Sequence, residues 1–403
     1  MNCRNCKEKI IDFFSLGDMP SVNCFLKKEE IAKERKYNLS IGFCPKCCLV
    51  QLIDIIPPKD LFINYVYFSS LSKYFLKHCK DIADNLTKRL NLGKESLVLE
   101  IASNDGAQLQ CFKELGISVL GVDPAKNIAR IANERGIKTI AEFFNYNFAK
   151  KLKEEQNIQA DLIFGANVLA HIPEIIDFLK GVKEILKLKG TVVFEFPYIK
   201  GLIENKFDTI YHEHVFYYSL ISLINLFKTA GLEIYDVQMT SMQGGSLIIF
   251  ACNPGIFLIN ENIKNLTVEE MKNGFDKIET YQKISKNVLK LKNELISLLK
   301  KIKSEGKKIA GLSASAKGNI LLNYFGINEN YLDFIVDTTE AKQGLYTPGA
   351  HLLVYPQEKI FNEKPDFVLI LCWNLTDEII EKLKDYHNAG GKFIIPIPEI
   401  KII

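Results

Sequence analysis

The chain has 403 residues, of which 47% are apolar and 25% are charged, and its formal net charge is +3. This length predicts two or three domains with buried cores, and the composition is typical of a globular protein. The lysines and arginines form no basic stripe, which argues against nucleic-acid binding. The longest apolar runs, such as residues 367–373, are too short to cross a bilayer, and the N-terminus shows no apolar signal region. We therefore expect a cytoplasmic protein without a membrane partner.

Four of the ten cysteines stand in two Cys-x2-Cys pairs, Cys3 with Cys6 and Cys44 with Cys47. Each pair can place two sulfurs on one turn, and two pairs supply the four thiolates of a tetrahedral zinc site. Cys48 competes with Cys47 as a ligand, but the two-residue spacing favours Cys47. Four buried free thiols are the alternative. Four sulfurs leave no open position for a substrate, so the predicted zinc ion is structural.

The next part of the chain alternates short apolar runs with helical patterns. The apolar runs lie in residues 96–106, 119–127, 160–172 and 190–198. Strands that alternate with helices at this spacing predict a parallel sheet, with ligands bound at the carboxyl edge of its strands.

The loop after the first of these strands indicates which ligand binds. It reads E-I-A-S-N-D-G and lacks the G-x-G-x-x-G of a nicotinamide site. It resembles a variant of the E/D-x-G-x-G loop of class I methyltransferases, whose donor is S-adenosylmethionine. An acid at the end of the second strand can accept the ribose hydroxyls of that donor. The candidate donor contacts here are Glu100, Ala102, Ser103, Asn104, Gly106 and Asp123. A nicotinamide site, or a sheet without a cofactor, remains the alternative at this point.

A cluster of titratable side chains follows the sheet, in the sequence Tyr211-His-Glu-His214. A solvated polar loop is the alternative, but the position directly after a cofactor-binding sheet favours an active site. His171, with Asn167, follows the strand near residue 160 at the carboxyl edge, where ligands gather. A buried core histidine is the alternative for His171.

Residues 264–303 show the apolar periodicity of an amphipathic helix. Thr267 and Glu270 have the spacing of a capping box, and Gly306 marks the end of the helix. The pattern predicts one long helix that connects to a further domain.

Residues 307–403 alternate again and predict a second, smaller parallel sheet. The loop from Ser313 to Asn319 combines small residues and hydroxyls with Lys317 and Gly318. Backbone N–H groups at a helix start together with one ammonium group suit a diphosphate. A plain strand-to-helix turn is the alternative.

Motifs along nearly the whole chain resemble the sugar C-methyltransferases that act on nucleotide-linked keto sugars in deoxysugar biosynthesis. The resemblance begins with the cysteine pairs and is densest in residues 195–220, which contain E-x-P-Y, L-I-E and F-D-T-I-Y-H-E-H. The other matching motifs are YVYFSSLS (65–72), EIASNDG (100–106), NVLAHIPE (167–174), MQGGSL (242–247), SASAKGN (313–319), KQGLYTPGAH (342–351) and WN (373–374).

This resemblance implies an α/β protein of three domains: a small zinc-binding domain, a class I methyltransferase sheet and a C-terminal Rossmann-like domain. The expected bounds are residues 1–75, 76–255, 256–306 for a helical connector, and 307–403. The resemblance implies S-adenosylmethionine as methyl donor and a nucleotide-diphosphate keto sugar as substrate, methylated beside its ketone at C3 of a 4-keto sugar. The substrate contacts expected in the C-terminal domain are Ser313, Ser315, Lys317, Gly318, Asn319, His351, Trp373 and Asn374.

Methylation of a carbon beside a carbonyl needs a base, donors to the enolate oxygen and a methyl group aligned with the carbanion. By resemblance His214 is the base, with Tyr211 and Glu213 beside the substrate, and the family places His171 at the active site. Glu213 can orient a histidine or hold a sugar amine or hydroxyl group. The hydroxyl groups of Tyr65, Tyr67 and Tyr211 can donate to the ketone oxygen.

Two other functions share these features. A sugar O-methyltransferase on the same scaffold does not need a ketone, and a non-catalytic relative binds the nucleotide sugar without chemistry. The intact Y-H-E-H sequence argues against the second. The sequence leaves the nucleotide, the sugar and the oligomeric state open.

Overall fold

A computed structural model of the protein describes residues 1–62, residue 70 and residues 73–403. Within these ranges the strands form sheets of four, seven and six strands, which confirms the predicted α/β class and its N-terminal, middle and C-terminal parts. Across the described ranges, no helix combines the length with the apolar character that a bilayer span requires.

The described residues contain the following elements in chain order. The strands are β1 Ile11–Met19, β2 Tyr37–Phe43, β3 Val50–Leu52, β4 Leu97–Ile101, β5 Ser118–Val122, β6 Thr139–Ile140, β7 Ala160–Ala166, β8 Leu186–Pro197, β9 Phe216–Tyr217, β10 Glu233–Thr240, β11 Ser246–Cys252, β12 Ile309–Leu312, β13 Phe334–Val336, β14 Val354–Tyr355, β15 Phe367–Ile370, β16 Lys392–Ile395 and β17 Lys401–Ile402. The helices are α1 Pro58–Phe62, α2 Lys73–Arg89, α3 Ala107–Glu114, α4 Lys126–Glu134, α5 Tyr146–Gln156, α6 Ile175–Ile185, α7 Lys200–Ile203, α8 Leu220–Ala230, α9 Glu261–Lys272, α10 Ile278–Ser304, α11 Ala316–Phe325, α12 Lys359–Glu363, α13 Thr376–Lys382 and α14 Lys384–Asn388.

The N-terminal sheet is antiparallel and has the order β1-β2-β3-β9. Leu39, Ile41 and Phe43 alternate along β2 and are buried, as expected for a strand with one face on a core. The fourth strand, β9, comes from the middle of the chain: Val50 pairs with Tyr217. Because β9 begins two residues after His214, the N-terminal sheet is joined directly to the polypeptide that carries the histidine cluster.

The middle sheet has the order β10-β11-β8-β7-β4-β5-β6. Strands β4 to β8 run parallel, whereas β11 is antiparallel to both β8 and β10. The central strands are buried on both faces, which explains their largely apolar sequences, such as residues 162–166 of β7. The parallel order brings the loops after β4, β5 and β7 to the same edge of the sheet.

The predicted long connecting helix is in fact two helices, α9 and α10, and the capping-box prediction was wrong. Asn260 caps α9 instead, through its side chain, which accepts from Asn262 N. Thr267 lies inside α9, where its hydroxyl donates to Ile263 O at 2.7 Å. The Glu270 carboxylate is buried and accepts from the Tyr198 hydroxyl and from the first backbone N–H groups of α8. Glu270 therefore stabilises the N-terminus of a different helix.

The C-terminal sheet has the order β14-β13-β12-β15-β16-β17, and its strands are parallel except for β17. Strand order reverses around β12, which pairs with both β13 and β15. In open parallel sheets such a reversal creates a crevice at the carboxyl edge. Residues Ser313 and Trp373 follow β12 and β15 at that edge.

Candidate active site

The four patterned cysteines form one cluster. Their sulfur atoms lie within 4.8 Å of one another, with Cys3 Sγ 3.6 Å from Cys47 Sγ and Cys6 Sγ 3.4 Å from Cys44 Sγ. A tetrahedron with metal–sulfur bonds of about 2.3 Å has sulfur–sulfur edges of roughly 3.8 Å, so these positions fit a single zinc ion. Cys48 is not a member of this cluster of described residues.

Polar side chains form hydrogen bonds to the cluster and to one another. Gln51 Nε2 donates to Cys3 Sγ at 3.3 Å, and the Arg4 guanidinium donates to Gln51 Oε1 at 3.1 Å. A hydrogen bond from the Cys47 thiol lowers the pKa of Cys3 to about 5, and the same hydrogen bond together with burial raises the pKa of Cys47. Such outer contacts orient metal ligands. Gln51 gave no signal in the sequence because it is 48 residues from Cys3.

The loop after β4 has an unusual backbone. Ala102, Asn104 and Gly106 have φ values of 57°, 49° and 81°. Asparagine and glycine tolerate this left-handed region, whereas alanine adopts it at a cost, and such residues concentrate at functional sites. A Cβ at Gly106 would also approach the side chain of Ile137 to 3.0 Å. The loop therefore turns sharply under the N-terminus of α3.

Asp123 holds this loop against the end of β5. Its Oδ2 accepts from Asn104 N at 3.0 Å and its Oδ1 accepts from Ala125 N at 2.9 Å. Burial raises the pKa of Asp123, and the two backbone hydrogen bonds oppose that rise. The carboxylate thus already has a structural role, and lone pairs remain for a ligand.

Buried acceptors surround the same loop. Within the described residues, Glu100 Oε2, Ser103 Oγ and Asp105 Oδ1 are buried without a hydrogen-bond partner. Burial raises the pKa of Glu100 well above its usual value, and Asp123 and Asp105 add to the rise. Polar atoms without partners in a folded protein are costly unless a ligand satisfies them. A ligand with hydroxyl and ammonium donors, as S-adenosylmethionine has, fits this edge.

Asn167, the predicted contact after β7, also has a left-handed backbone, with a φ of 56°. Its N–H donates to Glu195 O at 2.7 Å. The Glu195 carboxylate, at the end of β8, is 2.7 Å from His78 Nε2 of α2. Sequence reasoning missed His78, which stands 117 residues from its partner.

The Y-H-E-H sequence forms a turn in which His214 N donates to Tyr211 O at 2.9 Å. The imidazole is held at both nitrogens: Nδ1 is 2.9 Å from Thr209 O and Nε2 is 2.5 Å from the Tyr211 hydroxyl. A backbone carbonyl can only accept, so the proton of the neutral ring is on Nδ1. Nε2 is then the basic nitrogen, and the Tyr211 hydroxyl donates to it.

The histidines of this region are kept neutral. Burial lowers the pKa of His214 well below its usual value, and His171 and Lys317 lower it further. The His171 ring lies edge-to-face against His214, with centroids 4.9 Å apart, and burial lowers its pKa to about 4. Both imidazoles are therefore uncharged at neutral pH.

Glu213 and His212 leave the turn in different directions. Glu213 is buried, which raises the pKa of its carboxyl group to about 7, while Asn23 Nδ2 donates to its Oε1 at 2.6 Å. His212 Nε2 is 3.2 Å from Tyr37 O in the N-terminal sheet. Tyr65 and Tyr67, the predicted donors to the ketone, lie outside the described residues.

A cleft lies beside the turn, between the middle and C-terminal domains. Its lining includes Lys206, Thr209, Tyr217, Gly244, Lys317 and Trp373. The Lys317 ammonium lies 5.1 Å from the centroid of the Trp373 ring, and Trp373 Nε1 donates to Asp208 Oδ2 at 2.6 Å. Two ammonium groups thus border the cleft, of which the sequence indicated only Lys317.

The other residues predicted to bind substrate in the C-terminal domain have different surroundings. Ser313, with a φ of 75°, lines a separate cleft at the edge of the C-terminal sheet. Ser315 caps α11 by accepting from Gly318 N at 3.1 Å. Asn319 and His351 instead contact the N-terminal domain, at Val22 O and at the Glu34 carboxylate respectively.

His351, Gly318 and Asn374 each lie close to a particular neighbouring residue. His351 Nε2 is 3.0 Å from Glu34 Oε2. A Cβ at Gly318 would approach Leu371 Cβ to 2.8 Å, so no larger residue fits there without a shift. Asn374 lies beside Gly244, where a Cβ would approach its side chain to 3.8 Å.

Three protein-family models match the chain in sequence order. A zinc-binding domain matches residues 3–62, a methyltransferase domain matches residues 73–237, and a C-methyltransferase C-terminal domain matches residues 241–398. Together they cover the cysteine cluster, the middle sheet and the C-terminal sheet.

Two solved structures resemble part of the fold. One is magnesium protoporphyrin IX methyltransferase from Synechocystis, 15% identical over 44% of this chain and 83% of that chain, with a TM-score of 0.36. The other is an S-adenosylmethionine-dependent methyltransferase from Clostridium acetobutylicum, 14% identical over 45% of this chain and 92% of that chain, with a TM-score of 0.37.

A relative matches over the full length. C-methyltransferase NovU of Streptomyces niveus is 34% identical over 405 residues, covering 100% of this chain and 96% of the relative. The chain therefore belongs to the S-adenosylmethionine-dependent C-methyltransferases that carry an N-terminal zinc-binding domain.

Proposed function

We propose that the enzyme methylates the carbon beside the ketone of a nucleotide-linked keto sugar, at C3 of a 4-keto sugar. The observation that carries this proposal is the Tyr211–His214 pair, a buried neutral imidazole with its basic nitrogen 2.5 Å from a hydroxyl group. The pair lies beside the cleft that Lys206 and Lys317 border. The ring of His171, from the middle domain, packs against the ring of His214. The proposal also draws on the identity to C-methyltransferase NovU.

The middle domain holds the methyl donor. Glu100, Ser103 and Asp123 supply acceptors at the carboxyl edge of the sheet for the donor's hydroxyl and amino groups. S-adenosylmethionine supplies the electrophilic methyl group when it is bound there. The residues of the chain must then expose a carbanion to it and exclude water from the reacting carbon.

His214 Nε2 is the acceptor for the proton on the carbon beside the ketone. The Tyr211 hydroxyl occupies this nitrogen, so the proton reaches it either after Tyr211 turns away or through the Tyr211 oxygen. Tyr211 is also positioned as a donor to the enolate oxygen once its bond to His214 is released. Glu213 holds an amine or hydroxyl group of the sugar.

The C-terminal domain binds the nucleotide sugar through Lys317 and Trp373. Lys206 of the middle domain lines the same cleft. The ammonium group of Lys317 lowers the pKa of His214. A diphosphate beside Lys317 would compensate that positive charge, so substrate binding would raise the pKa of His214 and strengthen the base. Binding and activation would thereby depend on the same lysine.

Replacing Lys317 by methionine is expected to raise the KM for the nucleotide sugar at least tenfold, with donor affinity unchanged. Methionine retains packing on Trp373 but removes the charge, and a hydrogen bond to a charged group is worth about 1.5–3 kcal/mol. The measurement is steady-state kinetics for the sugar and calorimetry for the donor. The exposed Lys384→Met serves as a control. Equal weakening of both ligands would show that Lys317 has a structural role.

Replacing Asp123 by alanine is expected to lower donor affinity at least tenfold by calorimetry, because acceptors for the ribose hydroxyls and the loop contact to Asn104 are both lost. Asp337 offers a matched control in the C-terminal sheet. Its Oδ2 accepts from Ala314 N and its Oδ1 from Thr339 N, which is the same pattern. Asp337→Ala should leave donor affinity unchanged. An equal loss of donor affinity in Asp123→Ala and Asp337→Ala would contradict donor binding at Asp123.

The proposed reaction is tested by offering the enzyme matched nucleotide sugars with a 4-keto or a reduced 4-hydroxy group. Mass spectrometry should show the gain of one methylene unit on the keto sugar alone. Methylation of the hydroxy sugar would show oxygen transfer instead, since that reaction needs no acidic carbon. Binding of either sugar without any mass gain would identify a non-catalytic relative.

A further inference from the structure

A short segment of the N-terminal domain, residues 22–26, reaches both other domains. Val22 O accepts from the side-chain amide of Asn319 at 2.8 Å, and Leu26 exchanges backbone hydrogen bonds with Tyr346 at 3.0 and 2.8 Å. These contacts fix the segment against the C-terminal domain. Between them, Asn23 Nδ2 donates to Glu213 Oε1 at 2.6 Å. A residue of the zinc-binding domain thus touches the Y-H-E-H turn directly.

Glu213 depends on this contact. The residue is only 4% exposed, and within the described residues burial and the Asn23 amide are the causes of its pKa shift. His212 and His214 flank Glu213 in the turn, and the titratable or charged side chains that contact these histidines or act on them electrostatically are Tyr37, His171, Tyr211 and Lys317. None of these is a cause of the Glu213 shift among the described residues. Asn23 is therefore the donor that favours the charged carboxylate.

We propose that Asn23 is a positioning residue, which holds the Glu213 carboxylate toward the substrate and makes the zinc-binding domain part of the active site. The inference rests on the proposed function, in which Glu213 contacts the sugar. A neutral amide suits this role because it donates without placing a second charge in a buried site. Asn319 supports the arrangement from the C-terminal domain by fixing the residue before Asn23.

Burial and the Asn23 hydrogen bond determine in which direction the pKa of Glu213 moves when Asn23 is replaced. Burial raises the pKa of Glu213 to about 7, and the Asn23 hydrogen bond acts in the opposite direction. Loss of that hydrogen bond therefore raises the pKa further, so the carboxyl group is protonated at neutral pH. If the charged form holds the sugar, the acidic limb of the kcat profile moves to higher pH.

The test compares Asn23→Leu, which has a similar size and no donor, with the exposed neighbour Cys24→Ala. Asn23→Leu should shift the acidic limb of kcat upward by about one pH unit, the size expected for losing a hydrogen bond to a charged group. Cys24→Ala should not shift it. Zinc content and Tm should match the wild type, which separates positioning from misfolding.

A second measurement is independent of the substrate. Difference infrared titration of wild type against Glu213→Gln isolates the Glu213 carboxyl signal in the free enzyme. That signal should titrate at higher pH in Asn23→Leu, and the Asn23 substitution should not change the kcat profile of Glu213→Gln. An unshifted carboxyl titration overturns the proposal, and so does a shifted titration with an unchanged kcat profile. If no keto sugar is methylated, the proposed function fails, and the infrared titration alone still decides whether Asn23 acts on Glu213.

Discussion

His214→Asn is expected to lower kcat by about 10²–10⁴-fold while the donor and the nucleotide sugar still bind, since general bases contribute rate factors of this size. Asparagine keeps roughly the size of the side chain and one hydrogen bond to Thr209 O, but it cannot accept a proton. Single-turnover kinetics with calorimetry for each ligand separates the chemical step from binding.

The neighbouring histidine of the same turn provides the matched control. His212 contacts Tyr37 O in the N-terminal sheet, so His212→Asn should retain kcat even if its Tm falls. Tyr211→Phe tests the route of the proton. If its kcat falls as far as that of His214→Asn, the proton is transferred through the tyrosine oxygen. A His214→Asn enzyme that methylates at the wild-type rate would exclude His214 as the base and leave Tyr211 and His171 as candidates.

Cys3→Ser is expected to abolish zinc binding and to unfold the N-terminal domain, because the free energy of metal binding at a structural site becomes folding free energy. The wild type should contain about one zinc ion per chain, as the four-thiolate cluster requires. Elemental analysis and thermal unfolding measure both effects. Activity should also fall, because β9 and Asn23 connect this domain to the Y-H-E-H turn.

Cys48→Ser is the control for the metal site. Cys48 is buried next to Cys47 but lies outside the sulfur cluster of the described residues, so this variant should retain its zinc ion. Full zinc occupancy in Cys3→Ser, or loss of zinc in Cys48→Ser, would contradict the assigned ligands.

The features that the sequence predicted correctly are those whose signal is local. The cysteine spacing reflects the geometry of one turn, and the alternation of apolar runs with helical patterns reflects the burial of each strand. Both signals are contained in short segments of sequence. For this reason the sequence predicted the clustering of the four cysteines, the parallel strands of the middle sheet and the C-terminal sheet.

The features that the sequence did not predict depend on contacts between distant residues. Asn23 and Glu213 are 190 residues apart, and Asp208 and Trp373 are 165 residues apart. Strand β9 joins the N-terminal sheet from beyond the middle sheet, which no local pattern indicates. Glu270 has the spacing of a capping box, but tertiary structure uses it to stabilise the N-terminus of α8 instead.

The claim that the enzyme removes a proton from the carbon beside the ketone can be measured without methyl transfer. Enzyme and keto sugar are incubated in deuterium oxide without donor, and the sugar is analysed by nuclear magnetic resonance. The wild type should introduce deuterium at the carbon beside the ketone, and His214→Asn should not. Deuterium incorporation at the wild-type rate by His214→Asn, or methylation of the sugar on oxygen with no exchange at that carbon, would contradict proton removal by His214.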